Sequence, residues 1–254
     1  MKNILKIMLM MITIFTIAGS AVYAAEIPVS DQDQLITSND WTEISNLQDE
    51  MKKEEPDATI DYDKALKVYV DCNLIKLQTA DTKKLTSALE SANYVWVIPF
   101  KMEKTYGMFT VAKGLPLREE AKSVLTKAEQ EEVKNHAGKW MITEIAEHTV
   151  EPYYDILLEK REALSDCTRV VLVGSQPGMR QPVALGMDDE TARIWISLGY
   201  QYPVMEKIPE TQNVESGVYS FDSVAEISDT YIEDSEVSTG VGVQSRSSMK
   251  YVAG

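Results

Sequence analysis

The chain has 254 residues, a formal net charge of −15 at pH 7 and 44% apolar residues. This length and apolar fraction are typical of a globular protein that buries a sizeable core, and they argue against a largely disordered chain. The negative charge repels phosphate backbones and anionic lipid headgroups, so we expect binding neither to nucleic acid nor to a membrane surface.

Residues 1–24 have the pattern of a secretory signal peptide. Lys2 and Lys6 precede an uncharged apolar run, residues 7–17, and a small-residue cleavage site ends at Ala24. The run is shorter than the roughly 20 residues that cross a bilayer. We therefore expect secretion, with no membrane anchor after cleavage. The mature chain would carry a formal charge of −17, because both lysines leave with the peptide.

Residues 25–63 form a polar and acidic segment with one predicted short helix. Residues 38–40 offer capping side chains, and apolar residues follow at helical spacing until Pro56. This composition predicts either a leader packed loosely on the domain or a linker in front of it.

Residues 64–205 alternate between strand and helix patterns, which predicts a single α+β domain. Alternation predicts a half-buried strand at residues 66–74. Short apolar runs and turn residues predict further strands at residues 94–100, 106–112, 140–145, 169–173, 182–187 and 191–198. Helical spacing and capping residues predict helices that follow Asp81, Leu117 and Pro152, with a capping box at Thr126 and Glu129. Strand-helix-strand-strand occurs twice, so we expect two βαββ-like units in a mainly antiparallel or mixed sheet layered with helices.

Residues 206–254 change in composition. Acidic side chains dominate residues 206–236, and residues 237–254 are rich in Ser, Gly and Val without periodicity. This composition predicts an acidic, Ser/Gly-rich tail that is mostly disordered and acts as a spacer.

Residues 174–178, GSQPG, lie between two predicted strands and invite comparison with catalytic loops. A nucleophile elbow needs G-x-S-x-G before a helix, whereas Ser175 directly follows Gly174 and a strand comes next. No lysine follows Gly178, as a phosphate-binding loop requires. Pro177 and Gly178 instead predict a type II turn at a hairpin tip.

Two groups of residues are candidates for ligand binding. Met179 and Arg180 lie at this hairpin tip, which becomes a binding rim with the turn at 101–104 if both tips share one end of the sheet. Tyr94 and Trp96 project from one side of the same predicted strand and could form an aromatic platform on an open face. The alternative for both aromatic residues is core packing, since their strand is apolar on both sides.

A cluster of ionisable residues suggests an enzymatic alternative. His148 lies among Glu144, Glu147, Glu151 and Asp155, and a histidine among carboxylates can act as a base or bind a divalent cation. The cluster lacks the H-E-x-x-H spacing of a zinc protease helix. We therefore expect neither a dedicated metal site nor a cofactor, and the alternative is a solvated acidic edge.

Cys72 and Cys167 are the two cysteines of the chain. In an oxidising compartment they could form a disulfide that stabilises the fold by about 4 to 5 kcal/mol. The alternative is two separate reduced thiols, and the sequence leaves both open.

The sequence therefore favours a secreted, non-enzymatic binding module for an extracellular protein, peptide or glycan. The alternative is a small secreted hydrolase, with or without a metal ion, that uses the cluster around His148. A purely structural or inhibitory module is a third interpretation.

Overall fold

The structure is a computed structural model that describes residues 27–148, 151–174, 176, 179, 181–199, 205–209 and 213–228. The predicted signal peptide, Arg180 and residues 229–254 lie outside these ranges. A mixed sheet of ten strands runs through the described part.

The strands are β1 (Thr59–Ile60), β2 (Leu66–Val70), β3 (Asn93–Lys101), β4 (Tyr106–Lys113), β5 (Trp140–His148), β6 (Arg169–Val173), β7 (Val183–Met187), β8 (Ala192–Ser197), β9 (Asn213–Glu215) and β10 (Val218–Ser220). The helices are α1 (Trp41–Ile44), α2 (Gln48–Glu54), α3 (Thr82–Glu90), α4 (Glu119–Lys122), α5 (Lys127–His136) and α6 (Tyr153–Glu159), and residues 221–228 are also helical.

Strand pairing follows the order β5-β4-β3-β2-β6-β7-β8-β10-β9, and β1 pairs with β3. The central strands β2 and β6 are parallel, with Val68 level with Leu172, and the other described pairs of strands are antiparallel. Two antiparallel halves therefore extend outward from one parallel pair. The predicted α+β fold with a mixed, mainly antiparallel sheet is confirmed.

The predicted order of strands and helices is also present, but the pairing divides the chain differently from two βαββ units. β5 pairs with β4, from Lys113 opposite Trp140 to Tyr106 opposite His148, and so it completes the first half of the sheet. β6 pairs with β2 instead of β5. Hydrophobic periodicity identifies a strand but carries no information about its neighbour, which is why the sequence could not predict this division.

The two hairpin tips lie at opposite ends of the sheet. β3 runs antiparallel to β2, whereas β6 runs parallel to it. The β3–β4 turn therefore lies at the end where β2 begins, and the β6–β7 turn lies at the end where β2 finishes. The predicted rim that combines both tips is wrong.

Residues 30–58 form an integral layer on one face of the sheet, while Ile27 and Val29 pack on the other face. Leu35, Ile44 and Met51 are completely buried against an aromatic core that includes Trp96 and Phe100. The prediction of a loosely packed leader or linker is wrong, because these three apolar side chains fill the space above β3 and β4.

The C-terminal boundary of the domain, predicted at residue 205, also differs from the prediction. β9 and β10 continue the sheet, and Val218, Phe221 and Val224 are buried in the core. The ring of Phe221 stacks on Trp195 with centroids 5.6 Å apart. The domain therefore extends beyond 205, at least to residue 228, since a few apolar residues within an acidic segment are enough to pair with and cover a sheet edge.

The connection between β4 and β5 is an exposed helical arm. Its helices α4 and α5 contain no buried residue. The predicted capping box is confirmed: Thr126 accepts from the backbone of Glu129, and the Glu129 carboxylate accepts from the backbone of Thr126. Gly114 donates to the carbonyl of Lys139 at 2.9 Å and accepts from Gly138 at 2.8 Å, which closes the base of the arm.

Candidate functional site

An open cleft of about 590 Å³ lies at the end of the sheet that carries the β3–β4 turn. It is lined by residues 59–64 and 99–101 together with Ile36, Trp41, Tyr106 and Pro152. The cleft thus joins the N-terminal layer, the start of β2 and the β3–β4 hairpin. Its volume is within the range of small-ligand sites in proteins.

The floor of the cleft is built by a short turn between β1 and β2. Residues Tyr62–Lys64 form one turn of 3-10 helix, which Ala65 closes by donating to the carbonyl of Tyr62 at 3.2 Å. Asp61 donates its backbone N–H to Pro99 of β3 at 2.9 Å. The turn is therefore fixed to the sheet, and its side chains are held in place before any ligand arrives.

Three half-buried aromatic side chains face this cleft. Trp41, at the start of α1, meets Tyr62 edge to face, with ring centroids 5.2 Å apart and planes at 68°. Tyr106 begins β4, and the ammonium of Lys101 lies 5.6 Å from its ring centroid. Rings that are packed on one side and open on the other are suited to contact an apolar surface of a ligand.

Lys64 forms the ion pairs of the cleft. Lys64 donates to Asp155 of α6 at 2.8 Å and lies 3.7 Å from the Asp61 carboxylate. The hydrogen bond to Asp155 raises the pKa of Lys64, so this side chain stays cationic well above neutral pH. Burial raises the pKa of Tyr62, so its phenol stays neutral. The cleft therefore offers fixed hydrogen-bond donors and acceptors beside its rings.

A second polar cluster lies underneath the N-terminal layer. The carboxylate of Asp33 is 2% exposed and accepts from Tyr69 at 2.7 Å, Ser30 at 2.6 Å and Arg169 at 3.2 Å. The ammonium of Lys67 lies 3.7 Å from the same carboxylate. This cluster joins residues 30–33 to β2 and β6, and its burial makes it a structural connection.

Aromatic rings surround the buried Lys67. Its nitrogen lies 4.6 Å from the ring centroid of Tyr94 and 5.3 Å from that of Trp96. Burial lowers the pKa of Lys67, since water no longer solvates its charge. Asp40 accepts from the Tyr94 hydroxyl at 2.9 Å and from the Trp96 indole at 3.0 Å.

The predicted aromatic platform of Tyr94 and Trp96 is therefore wrong. Trp96 is completely buried, and Tyr94 is half-buried and bonded to the N-terminal layer. Core packing, the alternative interpretation, is correct for Trp96, because the N-terminal layer covers this face of the sheet. The half-buried aromatic residues of the cleft are instead Trp41, Tyr62 and Tyr106. The run from Asp61 to Lys64, with a tyrosine among charged residues, is the sequence signal for Tyr62.

The described residues of GSQPG, Gly174 and Gln176, lie between the two strands of a hairpin. β6 and β7 pair up to Val173 opposite Val183, which confirms the hairpin. Gln176 is 3% exposed, accepts from the backbone of Leu74 at 3.0 Å and donates to the carbonyl of Cys72. Met179 is also buried, so its predicted exposure at a binding rim is wrong. Pro177, Gly178 and Arg180 lie outside the described residues.

The ionisable cluster of β5 is only partly described. Glu144 and Glu147 are exposed and lie three positions apart in a strand, which places them on opposite faces of the sheet. Glu151 is exposed as well, while Asp155 is bound to Lys64 in the cleft. The side chain of His148 lies outside the described part, so its predicted role stays a prediction.

Within the described ranges, no three histidine, cysteine, aspartate or glutamate side chains come together as a set of metal ligands.

The two cysteines are free thiols in the structure. The two cysteines lie near opposite ends of β6: the carbonyl of Cys72 accepts from Gln176, beyond the end of β6, while Cys167 precedes β6 and lies against Gly186, which is level with Val170. The five residues of β6 alone span about 13 Å at about 3.3 Å per residue. A disulfide needs Cα atoms within about 7 Å, so the Cys72–Cys167 bridge is wrong and the alternative of two separate thiols is correct.

Asp71 explains why the cysteines also lie on different faces. Its backbone has a φ of 57°, which ends the alternation of β2. Cys72 then packs on the core of one face, whereas Cys167 packs on the other with Val68. Burial raises the pKa of each thiol to about 11, so both are poor nucleophiles at neutral pH.

Comparisons with family models, with curated proteins and with solved structures find no significant match to this chain. Its function is therefore argued from its own residues. No helix in the described ranges has the length and apolar character that a bilayer crossing requires.

Proposed function

We propose that this protein is a secreted, non-enzymatic binding module that recognises an extracellular protein, peptide or glycan. The observation that carries this proposal is the open cleft, in which the rings of Trp41, Tyr62 and Tyr106 lie beside the paired charges of Lys64. Convergence of exposed aromatic rings and fixed polar groups in one concave site is typical of ligand recognition.

The chemistry of the lining favours binding over catalysis. The described lining contains no histidine, cysteine or serine that could serve as a nucleophile or as a base near neutral pH. The ammonium of Lys64 is engaged with the carboxylates of Asp61 and Asp155. These charged groups can hydrogen-bond to a ligand that is bound and released without chemical change.

The test measures binding with a matched pair of variants. Purified protein is applied to arrays of oligosaccharides and peptides, and each hit is measured by calorimetry. Tyr106→Ala removes a ring that lies at a strand end, and we expect it to weaken any true ligand at least about tenfold, as truncation of an aromatic anchor does.

The control removes apolar surface far from the cleft. Val124 is 79% exposed on the helical arm, and Val124→Ala should leave binding unchanged. A ligand that binds Tyr106→Ala as tightly as the wild type would place its site elsewhere and contradict the proposal.

A further inference from the structure

We infer that the cleft takes a neutral oligosaccharide. This inference rests on the proposed binding function and adds the class of ligand. It is carried by two features of the cleft, the near balance of its charges and the combination of its polar groups with exposed rings.

The lining carries little net charge in a strongly acidic protein. Asp61 and Asp63 contribute two carboxylates, and Lys64 and Lys101 contribute two ammonium groups. Asp155, which binds Lys64 from α6, adds a third carboxylate, so the group has one negative charge in excess. The whole chain carries a formal charge of −15, so this near balance is distinctive. A cationic ligand would find a single excess carboxylate, which is already paired with Lys64, and an anionic ligand would meet the repulsion of the surrounding surface.

The polar groups match hydroxyls. A hydroxyl both donates and accepts hydrogen bonds, whereas an ammonium only donates and a carboxylate only accepts. Lys64 lies between Asp61 and Asp155, so donor and acceptor stand a few ångströms apart and one hydroxyl can meet both. Their mutual attraction holds them in place, which reduces the entropy lost on binding.

The aromatic rings match the other half of such a ligand. A pyranose ring has a face of C–H groups between its hydroxyls, and this face packs on aromatic carbon. The lining combines the rings of Trp41, Tyr62 and Tyr106 with the polar groups of Asp61 and Lys64. An oligosaccharide likewise combines apolar faces with hydroxyls.

Tryptophan fluorescence gives a direct readout of this cleft. The chain has four tryptophans. Trp96 and Trp195 are completely buried and Trp140 is 7% exposed, while Trp41 is half-buried in the cleft wall. Quenching by acrylamide therefore reports mainly on Trp41, and Trp41→Phe should remove most of the quenchable emission.

The experiment titrates the purified protein with neutral oligosaccharides of glucose, xylose, mannose and N-acetylglucosamine, with oligogalacturonate, and with a mixed peptide library. We expect at least one neutral series to protect Trp41 from acrylamide. Its Kd should change less than about twofold between 0.05 and 0.5 M NaCl, because salt screens only interactions between net charges. Lys64→Met should weaken this binding at least about tenfold, and Lys64→Arg should restore part of it.

The other outcomes separate the two proposals. The neutral-sugar inference would be overturned, and the binding function kept, if only peptides bound and Tyr106→Ala weakened them. The same conclusion would follow if oligogalacturonate bound with strong salt dependence and Tyr106→Ala weakened it. Absence of any ligand that protects Trp41 would overturn both. Neutral-sugar binding that Lys64→Met and Tyr106→Ala leave intact would place the sugar outside the cleft and overturn the inference.

Discussion

The buried carboxylate of Asp33 gives the sharpest test of what holds the N-terminal layer to the sheet. Asp33→Asn keeps the shape of the side chain and removes its charge. Lys67, whose side chain is 10% exposed, then loses the carboxylate 3.7 Å away, and Arg169 loses its 3.2 Å partner. Removing one partner of a buried ion pair lowers the free energy of unfolding by about 3 to 5 kcal/mol, because the other charge stays in the interior without a partner.

Urea unfolding, followed by far-ultraviolet circular dichroism, measures this cost. With a slope of about 2 to 3 kcal/mol per molar urea, a loss of about 3 kcal/mol lowers the midpoint by about 1 M or more. Asp31→Asn is the matched control, since Asp31 is exposed in the same turn, and it should change stability by less than about 0.5 kcal/mol. The double variant Asp33→Asn/Lys67→Met should recover part of the loss.

The loss should also depend on pH. Burial lowers the pKa of Lys67 in the folded protein, so the unfolded chain binds its proton more tightly. Without Asp33 this depression deepens, and the destabilisation relative to wild type should be largest at neutral pH and shrink as pH rises toward 10. Equal midpoints for Asp33→Asn and Asp31→Asn, or a loss independent of pH, would refute this account of the cluster.

Two further predictions concern the cysteines and the core. Cys72 and Cys167 should both react with Ellman's reagent once the protein is unfolded without reductant. In the native protein at pH 8 both should react slowly, because burial raises the pKa of each thiol to about 11. Unfolded protein with no reactive thiol would show a bridge. Gly107→Ala should cost about 1 to 3 kcal/mol in the same urea assay, because a new Cβ would collide with the Phe100 ring. Gly174→Ala is the control, because its new Cβ meets only ordinary van der Waals contacts, the nearest at 3.5 Å. Equal urea midpoints for Gly107→Ala and Gly174→Ala would contradict the collision.

The sequence by itself determined the elements whose signals are local. The alternating pattern of β2 and the capping side chains of Asp81 and Thr126 act within a few residues of themselves, so this strand and these helix starts could be recognised there. The hairpin around GSQPG follows from the same local chemistry. These signals were enough for the α+β class and for rejecting a catalytic loop.

Tertiary structure alone decided what depends on pairing. The parallel contact of β2 with β6 sends the two hairpin tips to opposite ends, and the φ of 57° at Asp71 turns Cys72 to the face opposite Val68. Nothing in a strand's own residues specifies its neighbour in the sheet, since backbone hydrogen bonds are the same for every sequence.

The candidate site depends on the tertiary structure for the same reason. Trp41, Tyr62, Tyr106 and Asp155 come from four separate segments and meet only when the N-terminal layer, the β3–β4 hairpin and α6 assemble at one end of the sheet. The sequence identified aromatic and charged residues by type. Which of them are covered and which reach solvent is a property of the packed layers, because burial depends on what lies above each face.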